Sequence, residues 1–191
     1  MKKIFVGITG ASGALYGLKT VQELSRRDVE VNLCITPDGL VNLNIELGKN
    51  FSSADDFIKN FNLSNIINHD YKNFAAPVSS GSKPMDYYVV VPASMGCVGR
   101  IASGVSSNLI ERCADVAMKE SKKLILVVRE TPFNTIHLQN MLSLSQAGVT
   151  IMPAAPGFYH KPKEIDDIIS FIVGKIFDIM NISHNLFERW N

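Results

Sequence analysis

The chain has 191 residues, 46% apolar and 19% charged, an ordinary globular composition with enough apolar side chains for one sizeable core. Nineteen Lys and Arg against eighteen Asp and Glu leave a net charge of +1, so there is no footprint for nucleic acid or an anionic membrane surface, and a small-molecule ligand is the first expectation. No apolar run approaches the roughly 20 residues of a spanning helix, and the few residues between Lys3 and Gly10 are too short for a signal-peptide core, so a cytoplasmic protein is expected.

In chain order, strand-like runs fall at 3–9, 29–36, 86–92, 124–129 and 149–152. Each is short, rich in β-branched residues and apolar on both faces, as buried parallel strands are. Helical patterns lie between them at about 14–26, 40–48, 54–60, 96–102, 109–121, 134–147 and 164–180. The alternation predicts one α/β domain over 1–191, with a mainly parallel sheet covered by helices on both faces. Asn108 with Glu111 reads as a capping box, and Ile110, Cys113, Ala114, Ala117 and Met118 follow at helical spacing. Residues 48–85 are richer in Asn, Ser, Lys and Asp, with a loop expected at 78–84. Cys34, Cys97 and Cys113 lack metal-type spacing and are odd in number, so reduced core thiols are expected. His69, His137, His160 and His184 show no ligand spacing; surface or loop roles are the favoured reading, and no metal is expected.

Ligands of an open parallel sheet bind outside the carboxyl ends of its strands. Those ends carry TGASG, TPDG, PASMGCVGR, RETPF and PAAPGFYH, which hold most of the Gly, Pro, Ser and Thr punctuation. Gly10 and Gly13 permit a sharp turn and close approach, and Ser12 offers a hydroxyl where a helix begins, so the first turn suits a phosphate-bearing or flavin-like ligand. The spacing Gly10-x-x-Gly13-x-x-x-Gly17 is neither the dinucleotide fingerprint nor a P-loop, and a plain strand-to-helix turn explains it equally well. Ser94 can cap the helix after the third strand. Arg129 and Glu130 end the fourth; two adjacent ionic groups there are costly unless paired or met by a ligand. Arg112, Asp115 and Lys119 share a helix face that spacing alone reads as solvated and salt-bridged.

Taken together, GITGASGALYG, VVVPASMG, SNLIERCADVAMKE, LVVRETPFNTIHLQNM and MPAAPGFYHKP resemble the UbiX-like flavin prenyltransferases, from the first strand to the ERW near the C-terminus. The fold expected is a Rossmann-like (flavodoxin-like) three-layer α/β sandwich. The resemblance implies transfer of a dimethylallyl group from dimethylallyl phosphate to reduced FMN, without a metal, giving prenylated FMN for a UbiD-type decarboxylase. It implies that Gly10, Ala11, Ser12, Thr36, Ser94, Met95, Gly96, Cys97 and Arg129 contact FMN. Arg112, Lys119, Arg129, Glu130, Tyr159 and Lys175 are implied around the prenyl phosphate, with Phe74 and Glu46 beside the flavin. Lys175 stands where an arginine is expected. Ser12, Glu46, Phe74, Lys119 and Glu130 are the expected catalytic residues: cationic donors and the Tyr159 hydroxyl meet the charge developing on phosphate, Glu130 carries a proton, and Phe74 offers a π face.

A flavin-dependent cysteine decarboxylase or a non-catalytic flavin carrier would account for the first and third strand ends, but neither needs the cationic phosphate pocket. A helix following a parallel strand runs back across the sheet, which carries Lys119 away from the strand carboxyl ends. If Lys119 and Arg112 serve the phosphate, they come from a neighbouring subunit. A homo-oligomer with shared active sites, by resemblance a dodecamer, is therefore expected.

Overall fold

The computed structural model describes residues 1–190. Strands β1 (Lys2–Ile8), β2 (Val29–Ile35), β3 (Ile66–Asn68), β4 (Tyr87–Ala93), β5 (Lys123–Val128) and β6 (Thr150–Pro153) form one sheet in the order β3-β2-β1-β4-β5-β6. Every neighbouring pair is parallel. The helices are α1 (Ala14–Ser25), α2 (Pro37–Leu47), α3 (Ala54–Asn60), α4 (Met95–Ala102), α5 (Leu109–Lys119), α6 (Thr135–Gln146) and α7 (Ile165–Ile179), with a 3-10 turn at Pro77–Ser79.

Successive side chains of a strand point to opposite faces, and here both faces are apolar. Ile4, Val6, Ile8, Val89, Val91 and Ile125 pack on one side with Val21 of α1 and Ile172, Ile176 and Phe177 of α7. Phe5, Tyr88, Val90, Leu124 and Leu126 pack on the other with Val98 and Ile101 of α4 and Ile110, Cys113 and Ala117 of α5. The result is the doubly wound, Rossmann-like three-layer sandwich expected from the alternation. All three cysteines are free and buried. Burial pushes the Cys34 and Cys97 thiols up to about 12, and Cys113 also rises, as core thiols do.

Local differences from the sequence reading have simple causes. The second helix begins at Pro37, three residues before its expected start, because the Thr36 hydroxyl accepts the Gly39 N–H at 3.1 Å and proline is well suited to the first helical position. The strand β3 has only three residues, too few for a period, and lies at the sheet edge inside the polar stretch. Asn108 does cap α5, accepting the Glu111 N–H at 3.1 Å. The Glu111 carboxylate, however, accepts the Ser107 N–H and the Asn108 side-chain amide in place of the Asn108 backbone N–H, so the box is not reciprocal. His184 is buried against Asp178 at 3.0 Å, not on the surface.

Candidate functional site

Strand order reverses between β1 and β4, so the crevice beyond their carboxyl ends is the topological switch point. The Thr9 hydroxyl donates to the Pro92 carbonyl at 2.8 Å and accepts the Ser94 N–H at 2.8 Å, locking the two strand ends together. A cavity of about 430 Å³ opens there, with Gly10, Thr36, Ser94, Gly96 and Cys97 in its wall.

Each strand end is shaped by a local device. Gly13, with φ of 100°, sits at the start of α1 in a left-handed conformation that a side chain would strain. Its N–H donates to Glu46 Oε1 at 2.7 Å, which brings α2 onto the first turn. Tyr16 lies near enough that burial first, and the Glu46 charge second, raise its hydroxyl above the ordinary range. A Cβ on Gly10 would come within 2.5 Å of the Asp38 Cβ, so packing by itself requires glycine there. The structural explanation of these two glycines therefore holds, and it leaves their turn at the crevice. Ala11 is buried, whereas Ser12 is exposed and its carbonyl accepts a hydrogen bond from Arg129 Nε at 2.9 Å. Ser94 caps α4, its hydroxyl accepting the Cys97 N–H at 3.3 Å. The Met95 and Gly96 N–H groups precede any intrahelical acceptor.

Arg129 and Glu130 are both partly exposed, and among the described residues they form no ion pair with each other. Glu130 Oε1 accepts the Thr131 N–H at 3.1 Å. Gly10, Ala11, Ser12, Thr36, Glu46, Ser94, Met95, Gly96, Cys97, Arg129 and Glu130 thus belong to one pole of the sheet.

The other expected residues are held by contacts of their own. Arg112 pairs with Asp115 at 2.6 Å, and its Nε donates to the Ser79 carbonyl. The Ser79 hydroxyl donates to the Phe74 carbonyl at 2.7 Å, so Phe74, 45% exposed, is tied to the α5 side. Lys119 pairs with Glu120 at the end of α5. It precedes β5 and Glu130 follows it, so a strand of six residues, roughly 20 Å, separates them within one chain. Tyr159 packs edge-on against Phe171 of α7 and against Trp190 in the C-terminal segment. Lys175, one turn beyond Phe171, is held at 3.4 Å by Asp178. A single chain therefore gathers the expected flavin contacts at the strand carboxyl ends, whereas Phe74 and Arg112 are tied to the Pro77–Ser79 turn, Lys119 sits at the C-terminal end of α5, and Tyr159 packs on α7, which carries Lys175.

Sequence reading missed Thr9, Asp38, Tyr71, Arg100 and Glu111 as cavity-lining residues. Arg100 and Glu111 are eleven positions apart on different helices, so no periodicity links them; the only signal was Glu111 after its cap. Among the described residues no cluster of three or more His, Cys, Asp or Glu could hold a metal, and no helix is long and apolar enough to cross a membrane.

The flavoprotein family model matches residues 1–177. The flavin prenyltransferase UbiX of Alkalihalophilus pseudofirmus is 45% identical over 192 residues, covering 99% of this chain and 96% of that protein. The crystal structure of AnUbiX in complex with FMN and dimethylallyl pyrophosphate superposes with a TM-score of 0.91 at 39% identity, covering 100% of this chain and 97% of that one. That of a dodecameric FMN-dependent UbiX-like decarboxylase from Escherichia coli O157:H7 gives 0.90 at 38% identity over 99% of each chain. Strand order, the paired turns at the switch point and full-length identity agree: the chain belongs to the UbiX flavin prenyltransferases.

Proposed function

We propose that the chain binds FMN in the β1/β4 crevice and, with FMN reduced, transfers a dimethylallyl group to it from dimethylallyl phosphate. The product would serve a UbiD-type decarboxylase. The observation that carries the reading is the crevice itself. It joins Gly10 of the first turn, the Thr36 hydroxyl and the first turn of α4 around a cavity of about 430 Å³, a size ordinary for cofactor sites. Open N–H groups and hydroxyls suit a phosphate-bearing ligand, and Arg129, fixed by the Ser12 carbonyl, adds a cation beside the first turn. These residues fit FMN, and Gly10, Ala11, Ser12, Thr36, Ser94, Met95, Gly96, Cys97 and Arg129 would hold it.

Reduced FMN supplies the nucleophilic acceptor. The chain's own residues supply the rest. Glu130 holds the proton that makes the departing phosphate a better leaving group, and Arg129 orients that phosphate. Glu46 engages Gly13 through Oε1 and keeps Oε2 to accept a proton from the acceptor. Phe74 offers its exposed ring as a π face for allylic charge.

Arg112, Lys119, Tyr159 and Lys175 would complete the phosphate pocket from neighbouring copies. Two observations support this reading. The roughly 20 Å between Lys119 and Glu130 prevents them from meeting within one chain. In addition, α6 exposes Leu138 at 53% and Leu142 at 59% one turn apart on one face, and Ile136 at 65% in its first turn, apolar surface that association would cover. A dodecamer, the assembly named for the Escherichia coli relative, is the proposed state.

The test is anaerobic incubation with reduced FMN and dimethylallyl phosphate, followed by mass analysis of the extracted flavin. A gain of one five-carbon prenyl unit supports the transferase. Unchanged flavin with carboxyl loss from a C-terminal cysteine peptide would make it a cysteine decarboxylase, and unchanged flavin with no turnover of either substrate would leave a carrier.

A further inference from the structure

The Glu111 side chain is completely buried at the floor of the crevice. Its Oε1 accepts Arg100 Nε at 2.7 Å and Asn108 Nδ2 at 2.9 Å, and its Oε2 accepts the Ser107 N–H at 2.7 Å. A buried carboxylate paired with an arginine is often no more stable than an apolar replacement, so this pair calls for a reason other than stability. The arginine provides one. Its side chain is 45% exposed, it is bound through Nε, and its two terminal nitrogens make no hydrogen bond among the described residues. A Cβ built on Gly96 would lie 3.4 Å from Arg100 Nη1, so the guanidinium lies over the first turn of α4, which Ser94 caps. It is the only cation among the residues lining this cavity; the anions there are Asp38 and Glu111, and Glu111 is already committed to Arg100.

We propose that Arg100, positioned by Glu111, binds the terminal phosphate of FMN and makes the crevice select FMN over riboflavin. A planar guanidinium fixed through Nε keeps two parallel N–H bonds for a phosphate, the geometry in which arginine exceeds lysine. Glu111 is a positioning residue: it fixes the fork without touching the ligand. The assignment rests on the flavin reading of the crevice.

The test titrates the full chain with FMN and with riboflavin, following flavin fluorescence, for the unaltered protein, Arg100→Ala, Arg100→Lys and Glu111→Gln. Arg100→Ala should weaken FMN about tenfold to a hundredfold, the range for hydrogen bonds to a charged group, and leave riboflavin unchanged. Arg100→Lys should recover only part of the loss. Glu111→Gln should lower the ratio of FMN to riboflavin affinity without removing it, an effect general loosening would not produce. Thermal melts identify a Glu111→Gln protein that fails to fold, and Arg100→Ala then decides alone. An unchanged ratio in Arg100→Ala overturns the proposal, as does an equal loss for both flavins. A loss of dimethylallyl phosphate affinity in place of FMN affinity overturns it by moving Arg100 to the other phosphate. If the unaltered chain binds neither flavin, the crevice reading fails, and this assignment with it.

Discussion

Arg129 Nε donates to the Ser12 carbonyl at 2.9 Å, so the residue that follows β5 holds the turn that follows β1, across the intervening end of β4. The bond uses the serine backbone and leaves its exposed hydroxyl for a ligand. Ser12→Ala should therefore keep the turn and the fold, with stability changed by no more than about 0.5 kcal/mol. It should weaken FMN by about 1 kcal/mol, the worth of one hydrogen bond. Thermal melts and a flavin titration check both halves; unfolding, or unaltered FMN affinity, contradicts the role assigned to the hydroxyl.

Glu130 follows that cation in the chain without pairing to it, and its Oε2 is left to meet a ligand. Glu130→Gln should bind FMN normally and slow prenyl transfer roughly a hundredfold, the usual cost of losing a group that acts on developing charge. A single-turnover assay with reduced FMN and dimethylallyl phosphate measures it. Turnover equal to that of the unaltered protein removes Glu130 from the chemistry.

Lys119 and Glu130 occupy opposite ends of β5. If both serve one site, that site is built from two chains. Lys119→Ala and Glu130→Gln proteins, each nearly inactive, should regain part of the activity when dissociated, mixed and reassembled, because some interfaces then receive both intact residues. A mixture that exchanges subunits and stays inactive, or a fully active monomer, refutes shared sites.

Asp178 gathers the C-terminal segment. Its carboxylate meets Arg189 at 2.7 Å, His184 at 3.0 Å and Lys175 at 3.4 Å. Arg189 above all, with help from His184 and Lys175, holds its pKa down at about 2. The folded pKa lies below the unfolded value of about 3.9, so the stabilisation is complete above pH 4 or so and is lost as pH falls toward 2. The partners are partly exposed, which limits the contribution to about 1 kcal/mol. Trp190, the only tryptophan, stands 5.4 Å from the Tyr159 ring and reports on the segment. Its fluorescence anisotropy should hold steady from pH 7 to about pH 4 and fall below that. Asp178→Asn should show the low value at pH 7. A transition centred near pH 6 would point to a histidine instead.

Most of the fold was legible because its signals are local. β-branched runs apolar on both faces marked five of the six strands, and Ser94 and Asn108 marked helix starts through bonds that close within four residues. The edge strand Ile66–Asn68 escaped notice because three residues in a polar stretch carry no period, and only pairing with β2 defines it. The turns at the strand carboxyl ends were also legible, since a parallel sheet puts all of them at one pole.

Composition, period and motif by themselves determined the α/β class, the pole that carries the candidate site and the family resemblance, because each depends on residue type at short spacing. Tertiary structure alone decided which side chains meet. It tied Gly13 to Glu46 and Ser12 to Arg129, and it buried Glu111 beneath Arg100. It also seated Tyr159 on Phe171 and held the Arg112 guanidinium to the Ser79 carbonyl. Such pairings depend on strand order and on the return path of each helix, which bring together residues from 11 to 117 positions apart.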